Sequence, residues 1–380
     1  MDRRTFLSTG AVGIAATTFA PRLAFAKAAT DRRFLFVIQR GAADGLAILA
    51  PTGDPNYARL RPQLSADVAG GTKLDPMFTL HPALKQVAAM TAARQALLVH
   101  AVASPYRDRS HFDGQNVLET GGALPYRLQD GWMNRLLRTM PDDPQAIAFA
   151  PTVPPALRGP AQVASYAPSN LPQAGDDLMI RVGDLYARDA QLGQLWNEAL
   201  QARSTAGDLA GGKGAAAAGA LAARMMKGPA GARIGMIETD GWDTHTAQKG
   251  RLNAQLNGLD AMLGAYRDGL GEDWKNTLVL VATEFGRTAK ENGTGGTDHG
   301  TGSTAFLLGG AVNGGRVLSD WPGLADAALY DGRDLKPTIS LDALVATALA
   351  QHFGQDPARM AGILFPDTGS APLRQTLAIA

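Results

Sequence analysis

The 380-residue sequence contains no cysteine. This absence excludes disulfide bonds, thiolate metal ligands and a cysteine nucleophile together. Any metal ion that the chain binds must therefore be held by oxygen atoms and imidazole nitrogens. Beyond residues 1–26 the sequence also lacks any run approaching the about 18 consecutive apolar residues that cross a bilayer. The remainder of the chain is therefore expected to have no membrane anchor.

An excess of charge of either sign is lacking as well. The sequence has 36 basic and 35 acidic residues, and residues 27–380 alone have 33 and 34. A net charge so close to zero gives no electrostatic reason to expect nucleic acid or an anionic membrane as a partner.

Residues 1–26 have the pattern of an export signal. The pair Arg3-Arg4 precedes a mildly apolar run over residues 10–20, and Ala24-Phe25-Ala26 follows that run. A basic start, a short apolar stretch and a small-x-small site indicate a secretory signal, and the paired arginines are typical of the twin-arginine type. We therefore predict passage through the twin-arginine translocase, cleavage before Lys27 and a periplasmic or secreted location. A buried first helix is the alternative.

Short apolar runs recur along residues 27–380. They occupy residues 34–38, 96–99, 146–149, 233–237, 277–281 and 304–308. Continuous runs of this length suit strands that are buried on both faces of a parallel sheet. Helical periodicity is clearest at residues 191–203, 252–270 and 341–353. Strands that alternate with helices predict a single α/β domain over residues 27–380, a three-layer sandwich with a largely parallel central sheet.

Two stretches predict loop insertions in this domain. Residues 151–180 contain six prolines and are expected to cross the surface irregularly, either shaping a substrate entrance or serving only as decoration. Residues 204–221 are rich in glycine and alanine, which predicts a flexible connection passing into an alanine-rich helix that ends near Met226.

Polar residues follow several of the predicted strands. Ligands of open α/β sheets bind beyond the carboxyl ends of the strands, so these residues are the candidates for a functional site. They are Asp44 after the first strand; Arg109, Ser110 and His111 after the second; Asp240, Asp243 and His245 after the run at 233–237; and Glu284, Arg287, Asp298 and His299 around the last two runs.

The residue types in these clusters favour two kinds of chemistry. An aspartate and a histidine a few residues apart can bind one hard or borderline divalent ion. Ser110, at a predicted helix start beside arginines and a histidine, has the ingredients of a nucleophile that faces an anionic group. Three structural alternatives stay open: an Asp44-Gly45 turn without chemistry, an ordinary helix cap at Ser110, and an Asp-His pair that only stabilises its turn.

Three further histidines complete the set of six. His81 and His100 lie near predicted strand ends and are additional candidates, whereas His352 lies on a predicted helix and is expected to be structural.

A resemblance to a known bacterial family rests on these motifs. They are, in chain order, Arg40-Gly41-x-x-Asp44-Gly45-Leu46, Leu80-His81-Pro82-Ala83-Leu84, Arg109-Ser110-His111-Phe112-x-x-Gln115, Asp240-Gly241-Trp242-Asp243-Thr244-His245, Thr283-Glu284-Phe285-Gly286-Arg287, Asp298-His299-Gly300 and Gly332-Arg333-Asp334-Leu335-x-Pro337-Thr338. On them the chain resembles the uncharacterised exported family numbered 1501 among the domains of unknown function, over nearly all of residues 27–380. That family in turn is similar to the clan of alkaline phosphatases, sulfatases and phosphoglycerate mutases, which implies an alkaline-phosphatase-like fold.

The clan resemblance also implies roles for individual residues. Asp44 is similar to the clan's first-strand metal aspartate, and Ser110 falls where the clan's nucleophile begins a helix. The pair Asp240 and His245 resembles the clan's Asp-x-x-x-His motif, with one residue more between them.

Glu284 and His299 correspond to the clan's later ligands. Glu284 falls where the clan has the aspartate of its Asp-His-Gly motif, and His299 resembles the histidine that precedes a strand. Phe285 stands where the clan has a metal-binding histidine, and His111 is the candidate to replace it. In an alternative register Asp298-His299-Gly300 is itself the Asp-His-Gly motif.

By this resemblance the chain is expected to be a metal-dependent hydrolase of phosphate or sulfate esters. One or two ions of zinc, manganese or calcium would neutralise a small anionic ester and lower the pKa of the attacking hydroxyl. The resemblance implies that Ser110 attacks the ester. It implies that Asp44 and Glu284 bind one ion and that Asp240, His245 and His299 bind the other. Arg109 or Arg287 would clamp the anionic group. His111, Asp243, His81 and Asp298 are further candidate ligands. The rival hypothesis is a non-catalytic exported binding or assembly protein that retains the hydrolase fold.

Overall fold

The computed structural model describes residues 30–140, 145–167, 176–186 and 212–373, together with positions 189, 192, 193, 196, 200, 377 and 379. The predicted signal at residues 1–26, most of the predicted helix at 191–203 and the loop at 204–211 lie outside the described residues.

Twelve strands run through the described part of the chain. They are β1 Arg33–Gln39, β2 Leu49–Ala50, β3 Thr72–Lys73, β4 Thr79–Leu80, β5 Ala96–Ala103, β6 Ala146–Phe149, β7 Val163–Ser165, β8 Ile234–Thr239, β9 Thr277–Ala282, β10 Ser303–Leu308, β11 Arg316–Leu318 and β12 Ile339–Ser340.

The helices in the same ranges are α1 Gly45–Ile48, α2 Asn56–Leu60, α3 Lys85–Ala92, α4 His111–Thr120, α5 Trp132–Leu137, α6 Asp176–Tyr186, α7 Ala215–Met226, α8 Gln248–Leu270, α9 Leu341–Phe353 and α10 Pro357–Leu364. Short 3₁₀ helices lie at Leu64–Val68, Pro155–Leu157, Gly271–Asn276 and Asp326–Ala328. Among the described helices, none combines the length and the apolar character that a membrane span requires.

Nine of the strands form the central sheet, in the order β11-β5-β10-β9-β1-β8-β6-β7, with β12 beside β5. All of the neighbouring pairs are parallel except the two that β10 makes with β5 and β9. A separate small sheet has the order β2-β4-β3.

Helices cover both faces of the central sheet. Because successive side chains of a strand point to opposite faces, Phe34, Phe36 and Ile38 of β1 pack with α5, α9 and α10. Leu35 and Val37 pack on the other side with α3, α7 and α8. The molecule therefore has three layers, helix, sheet and helix, and the predicted fold class is confirmed.

The six predicted strands are all present, each within one residue at its start and four at its end. The predicted helices at 252–270 and 341–353 are present as α8 and α9. The irregular course predicted for residues 151–180 is wrong in part, because Val163–Ser165 adds an edge strand to the sheet and α6 begins at Asp176. This edge strand is only partly buried, so it lacks the apolar run by which the central strands are recognised.

The polar loops meet at one edge of the sheet. Strands β1, β8 and β9 run parallel and side by side, so the residues that follow Gln39, Thr239 and Ala282 lie close together. Strand β5 also runs in this direction, since both β5 and β9 are antiparallel to β10, and β10 starts at the same edge. The helix α4, which follows β5, therefore begins beside these loops.

Candidate metal centre

Three imidazoles and one carboxylate converge at this edge of the sheet. One ligand atom each of His111, Asp243 and His299 lies within 4.8 Å of the others, so this group could hold a metal ion. His245 adjoins the group, because its Nε2 is 3.0 Å from His299 Nε2 and 2.9 Å from Asp243 Oδ1. We call these four residues the metal centre.

His111 is the first residue of α4. Its ring stacks on Phe285, with ring centroids 5.1 Å apart, and its Nδ1 lies 2.9 Å from Glu284 Oε1. The Glu284 carboxylate raises the pKa of His111 by this hydrogen bond, against the effect of burial. His111 Nε2 is 3.5 Å from Asp243 Oδ2 and is buried without a hydrogen-bond partner among the described residues.

His299 is oriented by a backbone carbonyl. Its Nδ1 lies 2.9 Å from the carbonyl oxygen of Arg109, and Arg109 has a φ of 62°, in the left-handed region that is strained for a residue with a side chain. The segment before α4 is thus held in a strained conformation beside His299. Burial, followed by the neighbouring charges of His111 and Arg287, lowers the pKa of His299.

Asp243 and His245 reach the centre from the loop after β8. Trp242 before them and Thr244 between them are fully buried, and Thr244 Oγ1 donates to Gln248 Oε1 at 2.9 Å. Alternate side chains of this segment therefore point into the molecule, and the two ligand candidates point out toward the centre. His245 Nδ1 lies 3.1 Å from Asp298 Oδ1, which orients its ring.

The partners of Nδ1 are of one kind for all three imidazoles. They are a carboxylate for His111 and His245 and a carbonyl oxygen for His299, and each of these groups only accepts hydrogen bonds. A neutral ring with its proton on Nδ1 presents the Nε2 lone pair that binds metal. Nε2 of His245 and Nε2 of His299 are 3.0 Å apart and lie 2.9 and 3.2 Å from Asp243 Oδ1, so this place suits a positive charge, either a proton or a metal ion.

The distances within the metal centre fit a small ion. Ligand atoms 2.0–2.1 Å from a tetrahedral zinc ion are about 3.3 Å apart. Four of the corresponding distances here lie between 2.9 Å, from Asp243 Oδ1 to His245 Nε2, and 3.5 Å, from Asp243 Oδ2 to His111 Nε2. Nδ1 partners of this kind are typical of metal-binding histidines, because they hold the tautomer and the orientation of the ring. The residues present therefore fit a single divalent ion bound by nitrogen and oxygen.

Arg287 supplies the fixed positive charge beside the metal centre. Its side chain is fully buried, and Nη1 donates to Asp243 Oδ1 at 2.6 Å. Nε donates to Thr297 Oγ1 at 3.2 Å and Nη2 to the Thr297 carbonyl. Burial favours the neutral acid, but the hydrogen bond and charge of Arg287 outweigh it and lower the pKa of Asp243. Arg287 therefore orients the Asp243 carboxylate, and its expected role as an anion clamp stays a prediction.

Glu284 lies behind His111, where it is fully buried. Its Oε1 accepts hydrogen bonds from Gly41 N, His111 Nδ1 and Gln115 Nε2, and its Oε2 accepts one from Thr283 Oγ1. These donors offset burial and lower the pKa of Glu284. Both oxygens are thus occupied by donors, so the structure places Glu284 as the residue that orients His111 instead of as a direct ligand.

Asp44 forms a buried ion pair. Arg61 Nη1 donates to Asp44 Oδ2 at 2.7 Å, and both side chains are almost completely buried. Gln248 Nε2 donates to the same oxygen at 2.5 Å. Asp44 is not in the group formed by His111, Asp243 and His299, so the structure does not bring it into the metal centre. Its Oδ1 is buried without a hydrogen-bond partner among the described residues, whereas both oxygens of Glu284 accept hydrogen bonds. Glu284 therefore offers no free oxygen to a second ion.

Four other sequence candidates have different positions. Asp240 is exposed and lies outside the metal centre, and Asp243 occupies the position that was predicted for Asp240. His81 is buried, accepts a hydrogen bond from Ala83 N and also lies outside the centre. The Arg109 side chain points to Asp331 and Asp334, which hold its guanidinium away from a clamping position. Asp298 is not in the group but accepts from His245, so it has an orienting role.

Ser110 lies between two residues that contact the metal centre. Arg109 bonds His299 through its carbonyl and His111 is itself part of the centre. Ser110 is the residue that caps α4, yet its hydroxyl makes no capping hydrogen bond to the helix. The ordinary capping role is therefore not realised, and the hydroxyl stands at the positive end of the α4 dipole.

The remaining histidines have structural environments. His100 Nε2 lies 2.8 Å from the Leu49 carbonyl, and burial lowers the pKa of His100 to about 4. His352 Nε2 lies 2.9 Å from the Arg33 carbonyl, and burial lowers the pKa of His352 to about 3. The expectation that His352 is structural agrees with this position.

A cleft of about 410 Å³ lies along α4, the helix that begins at His111. It is lined by Arg40, Phe112, Gln115, Tyr126 and Arg158, among others. Gln115 connects it to the centre, since its amide donates to Glu284 Oε1 at 3.1 Å. The Phe112 side chain, one residue after His111, is 83% exposed at this place. The cleft thus offers apolar, aromatic and cationic surface within one turn of α4 from the candidate ligands.

Residues 170–364 match the family described as "Protein of unknown function (DUF1501)", and this match spans just over half of the sequence. The chain belongs to the DUF1501 family. Asp243, His245 and His299 lie within the residues that match DUF1501, and His111 lies before them. No curated protein matches the sequence.

Two solved structures are similar to this DUF1501 protein. A protein in the alkaline phosphatase superfamily from Vibrio parahaemolyticus has 12% identity and a TM-score of 0.38, with 94% of this chain and 74% of that chain covered. The C-terminal periplasmic domain of EcEptC from Escherichia coli, in complex with Zn, has 11% identity and a TM-score of 0.39, with 92% of each chain covered.

Proposed function

We propose that this protein is an exported hydrolase of phosphate or sulfate esters that depends on a single divalent metal ion. The observation that supports it is the convergence of His111, Asp243 and His299 on one point, with His245 beside them. His111 Nε2 is buried there without a hydrogen-bond partner among the described residues, which is costly unless a cation binds it. Zinc is the ion that best suits imidazole and carboxylate ligands at these distances, whereas manganese and calcium prefer oxygen ligands.

His111, Asp243, His245 and His299 would hold the ion. A bound ion would act as a Lewis acid, neutralising the anionic ester and lowering the pKa of a hydroxyl or water beside it. Glu284, Asp298 and the Arg109 carbonyl keep the three imidazoles in the tautomer that binds metal. Arg287 keeps Asp243 ionised and adds a positive charge that attracts the anionic group of the substrate.

Ser110 is the proposed nucleophile. Its hydroxyl is free of a capping bond, lies at the positive end of α4 and is flanked by two residues of the site. Attack by this hydroxyl on phosphorus or sulfur would displace the alcohol of the ester, and water would then release the acid from the serine. The organic part of the ester would occupy the cleft that contains Phe112 and Tyr126.

The experiment that tests the proposal combines metal analysis with an ester screen. Protein loaded with zinc, manganese or calcium is assayed against phosphate monoesters, phosphate diesters and sulfate esters, and Ser110→Ala is assayed on each ester that is hydrolysed. We expect turnover that is abolished by a chelator and by Ser110→Ala. Full activity of Ser110→Ala would remove the serine from the mechanism, and a protein that binds no ion under any loading condition would overturn the metal-dependent hydrolase altogether.

A second candidate function is a non-catalytic exported binding or assembly protein with the same site. The engagement of Asp44 by Arg61 favours it, because a guanidinium replaces a cation that could otherwise take part in turnover. Metal binding without hydrolysis of any ester in the screen would support this candidate over the enzyme.

Export through the twin-arginine route is part of the proposal. It rests on Arg3-Arg4, the apolar run at 10–20 and the Ala24-Phe25-Ala26 site. Cell fractionation of the wild type and of a double Arg3→Lys, Arg4→Lys variant tests it. We expect the wild type to be processed and to leave the cytoplasm and the variant to be retained; equal export of both would contradict the twin-arginine route.

A further inference from the structure

Gln248 joins the two loops that carry most of the metal centre. It is the first residue of α8 and its side chain is 1% exposed. Its Oε1 accepts hydrogen bonds from Thr244 Oγ1 at 2.9 Å and from Thr297 Oγ1 at 2.7 Å. Thr244 lies between Asp243 and His245, and Thr297 lies two residues before His299. One buried oxygen atom therefore ties together the backbone segments of three of the four candidate ligands.

The orientation of the Gln248 amide is set by a buried ion pair. Gln248 Nε2 donates to Asp44 Oδ2 at 2.5 Å, and Arg61 donates to that same oxygen at 2.7 Å. Arg61 is in turn held by the carbonyl oxygens of Thr288, at 2.7 Å, and Ala289, at 2.9 Å. A rotated amide would place its own carbonyl against the Asp44 carboxylate, so only one orientation satisfies every group. That orientation points the acceptor at both threonines.

Neighbouring contacts make the two loops a single unit. The Thr297 backbone N–H donates to the Thr244 carbonyl at 3.2 Å, and Arg287 Nε donates to Thr297 Oγ1 at 3.2 Å. Arg287 also holds Asp243, and His245 Nδ1 lies 3.1 Å from Asp298 Oδ1, so several contacts besides Gln248 join the loops. Among these, Gln248 alone binds both loops through one atom and connects them to the body of α8.

We propose that Gln248 is a positioning residue for the metal centre, and that the buried Asp44–Arg61 pair acts through Gln248 to hold the loops at 243–245 and 297–299 in the arrangement that binds the ion. The inference rests on the proposed metal-binding function. It gives Asp44, in the motif after β1, a role in the site: Asp44 orients Gln248, and Gln248 holds the loops that carry the candidate ligands. Outer partners of metal ligands typically contribute about 10–100-fold to metal affinity.

The direct test is the zinc affinity of Gln248→Met, measured by competition with a chromogenic chelator. Methionine has a similar length and removes both the acceptor and the donor. Gln86→Met is the matched control, because Gln86 also loses a side-chain hydrogen bond, to Arg267 at 3.0 Å, outside the site. We expect Gln248→Met to bind zinc about 10–100-fold more weakly than the wild type, and Gln86→Met to bind it like the wild type. Wild-type affinity in Gln248→Met would overturn the inference.

Two additions keep the test decisive. Thr244→Val and Thr297→Val remove one hydroxyl each with little change of shape, and each should weaken zinc binding even if Gln248→Met does not fold. Hydrogen exchange of the metal-free proteins gives a readout that needs no ion: the Thr297 amide should exchange faster in the variants than in the wild type and in Gln86→Met. If the wild type binds no zinc, the proposed metal centre is wrong, and the exchange rates alone then decide whether Gln248 holds the loops; unchanged rates would refute it.

Discussion

At the scale of single residues, the metal centre depends on which carboxylate faces inward. Asp240 and Asp243 lie in the same loop and have the same side chain, but Asp240 is exposed whereas Asp243 is next to His245, His299 and Arg287. The turn at Gly241, with a φ of 88°, and the burial of Trp242 separate the two environments.

This difference makes Asp243→Asn and Asp240→Asn a matched pair. Asp243→Asn removes the only carboxylate of the metal centre, so we expect zinc affinity to fall by more than the about 100-fold that outer partners reach. Asp240→Asn should leave the affinity unchanged. Isothermal titration with zinc measures both. The reverse order of effects would restore Asp240 to the ligand set and remove Asp243.

A second prediction at this scale concerns His352 and stability. Burial lowers the pKa of His352 to about 3, whereas the unfolded chain takes up a proton near pH 6.5. Between these values the unfolded state binds more protons than the folded state, so the free energy of unfolding falls as the pH falls, by up to about 1.4 kcal/mol per pH unit. Above pH 6.5 His352 has no effect on the slope.

Urea denaturation of the metal-free protein at pH 7, 6 and 5 tests this. We expect His352→Gln to lose part of the wild-type pH dependence, provided that it folds. The comparison of slopes cancels groups that act in the opposite sense, such as Asp342, whose pKa burial raises to about 7. Identical slopes in the two proteins would show that His352 is protonated in the folded state.

At the scale of elements, the loop after β1 approaches the loop after β8 so closely that only glycine fits. Gly41 has a φ of 115°, and a Cβ there would lie 2.6 Å from Asp243 N and 3.1 Å from Trp242 N. The Gly41 N–H also donates to Glu284 Oε1 at 2.8 Å. The contact therefore fixes the ligand loop and the residue that orients His111 at the same time.

We predict that Gly41→Ala weakens zinc binding and destabilises the fold by more than a positive φ alone would. Gly332→Ala is the control, since Gly332 has a φ of 63° but has no atom within 4 Å of an added Cβ. Alanine in the left-handed region costs about 1–2 kcal/mol, which is the whole effect expected at Gly332. Thermal denaturation of both variants, with and without zinc, measures the loss of stability in each. Equal losses in Gly41→Ala and Gly332→Ala would show that the loops move apart around the added methyl group at no further cost in stability.

At the scale of the whole molecule, the sheet decides which carboxylates come together at the edge where the metal centre lies. Parallel β1, β8 and β9 bring Asp44, Asp243 and Glu284 to one edge, but Arg61 pairs with Asp44 and donors occupy both oxygens of Glu284. A second group of free carboxylate oxygens, which a second ion would need, is therefore not formed by Asp44 and Glu284.

We therefore expect one zinc ion per chain, and a folded state that zinc stabilises. Free zinc at about 100 times its dissociation constant should add about 2.7 kcal/mol to the free energy of unfolding, as a ligand that binds only the folded state does. Mass spectrometry under native conditions gives the stoichiometry and urea denaturation gives the gain. Two ions per chain would show that Asp44 exchanges Arg61 for metal, and no gain in stability would contradict a preformed site.

The sequence by itself determined the fold class and most of the strands. Runs such as 34–38 and 277–281 are apolar without alternation, and only a strand covered on both faces keeps such a run out of water, so the three-layer sheet follows locally. The sequence also identified the histidines at strand ends, because polar residues after a buried strand must lie at a sheet edge.

Only the tertiary structure decided which candidates meet. Asp44 and Asp243 are equivalent as residue types, yet Asp44 faces Arg61, seventeen residues along the chain, whereas Asp243 faces His245 of its own loop and His111 and His299 from other segments. No periodicity records those partners, because they become neighbours of the carboxylates only in the folded chain. The same holds for Gln248, whose bonds to Thr244, Thr297 and Asp44 exist only after α8 packs beneath the sheet edge.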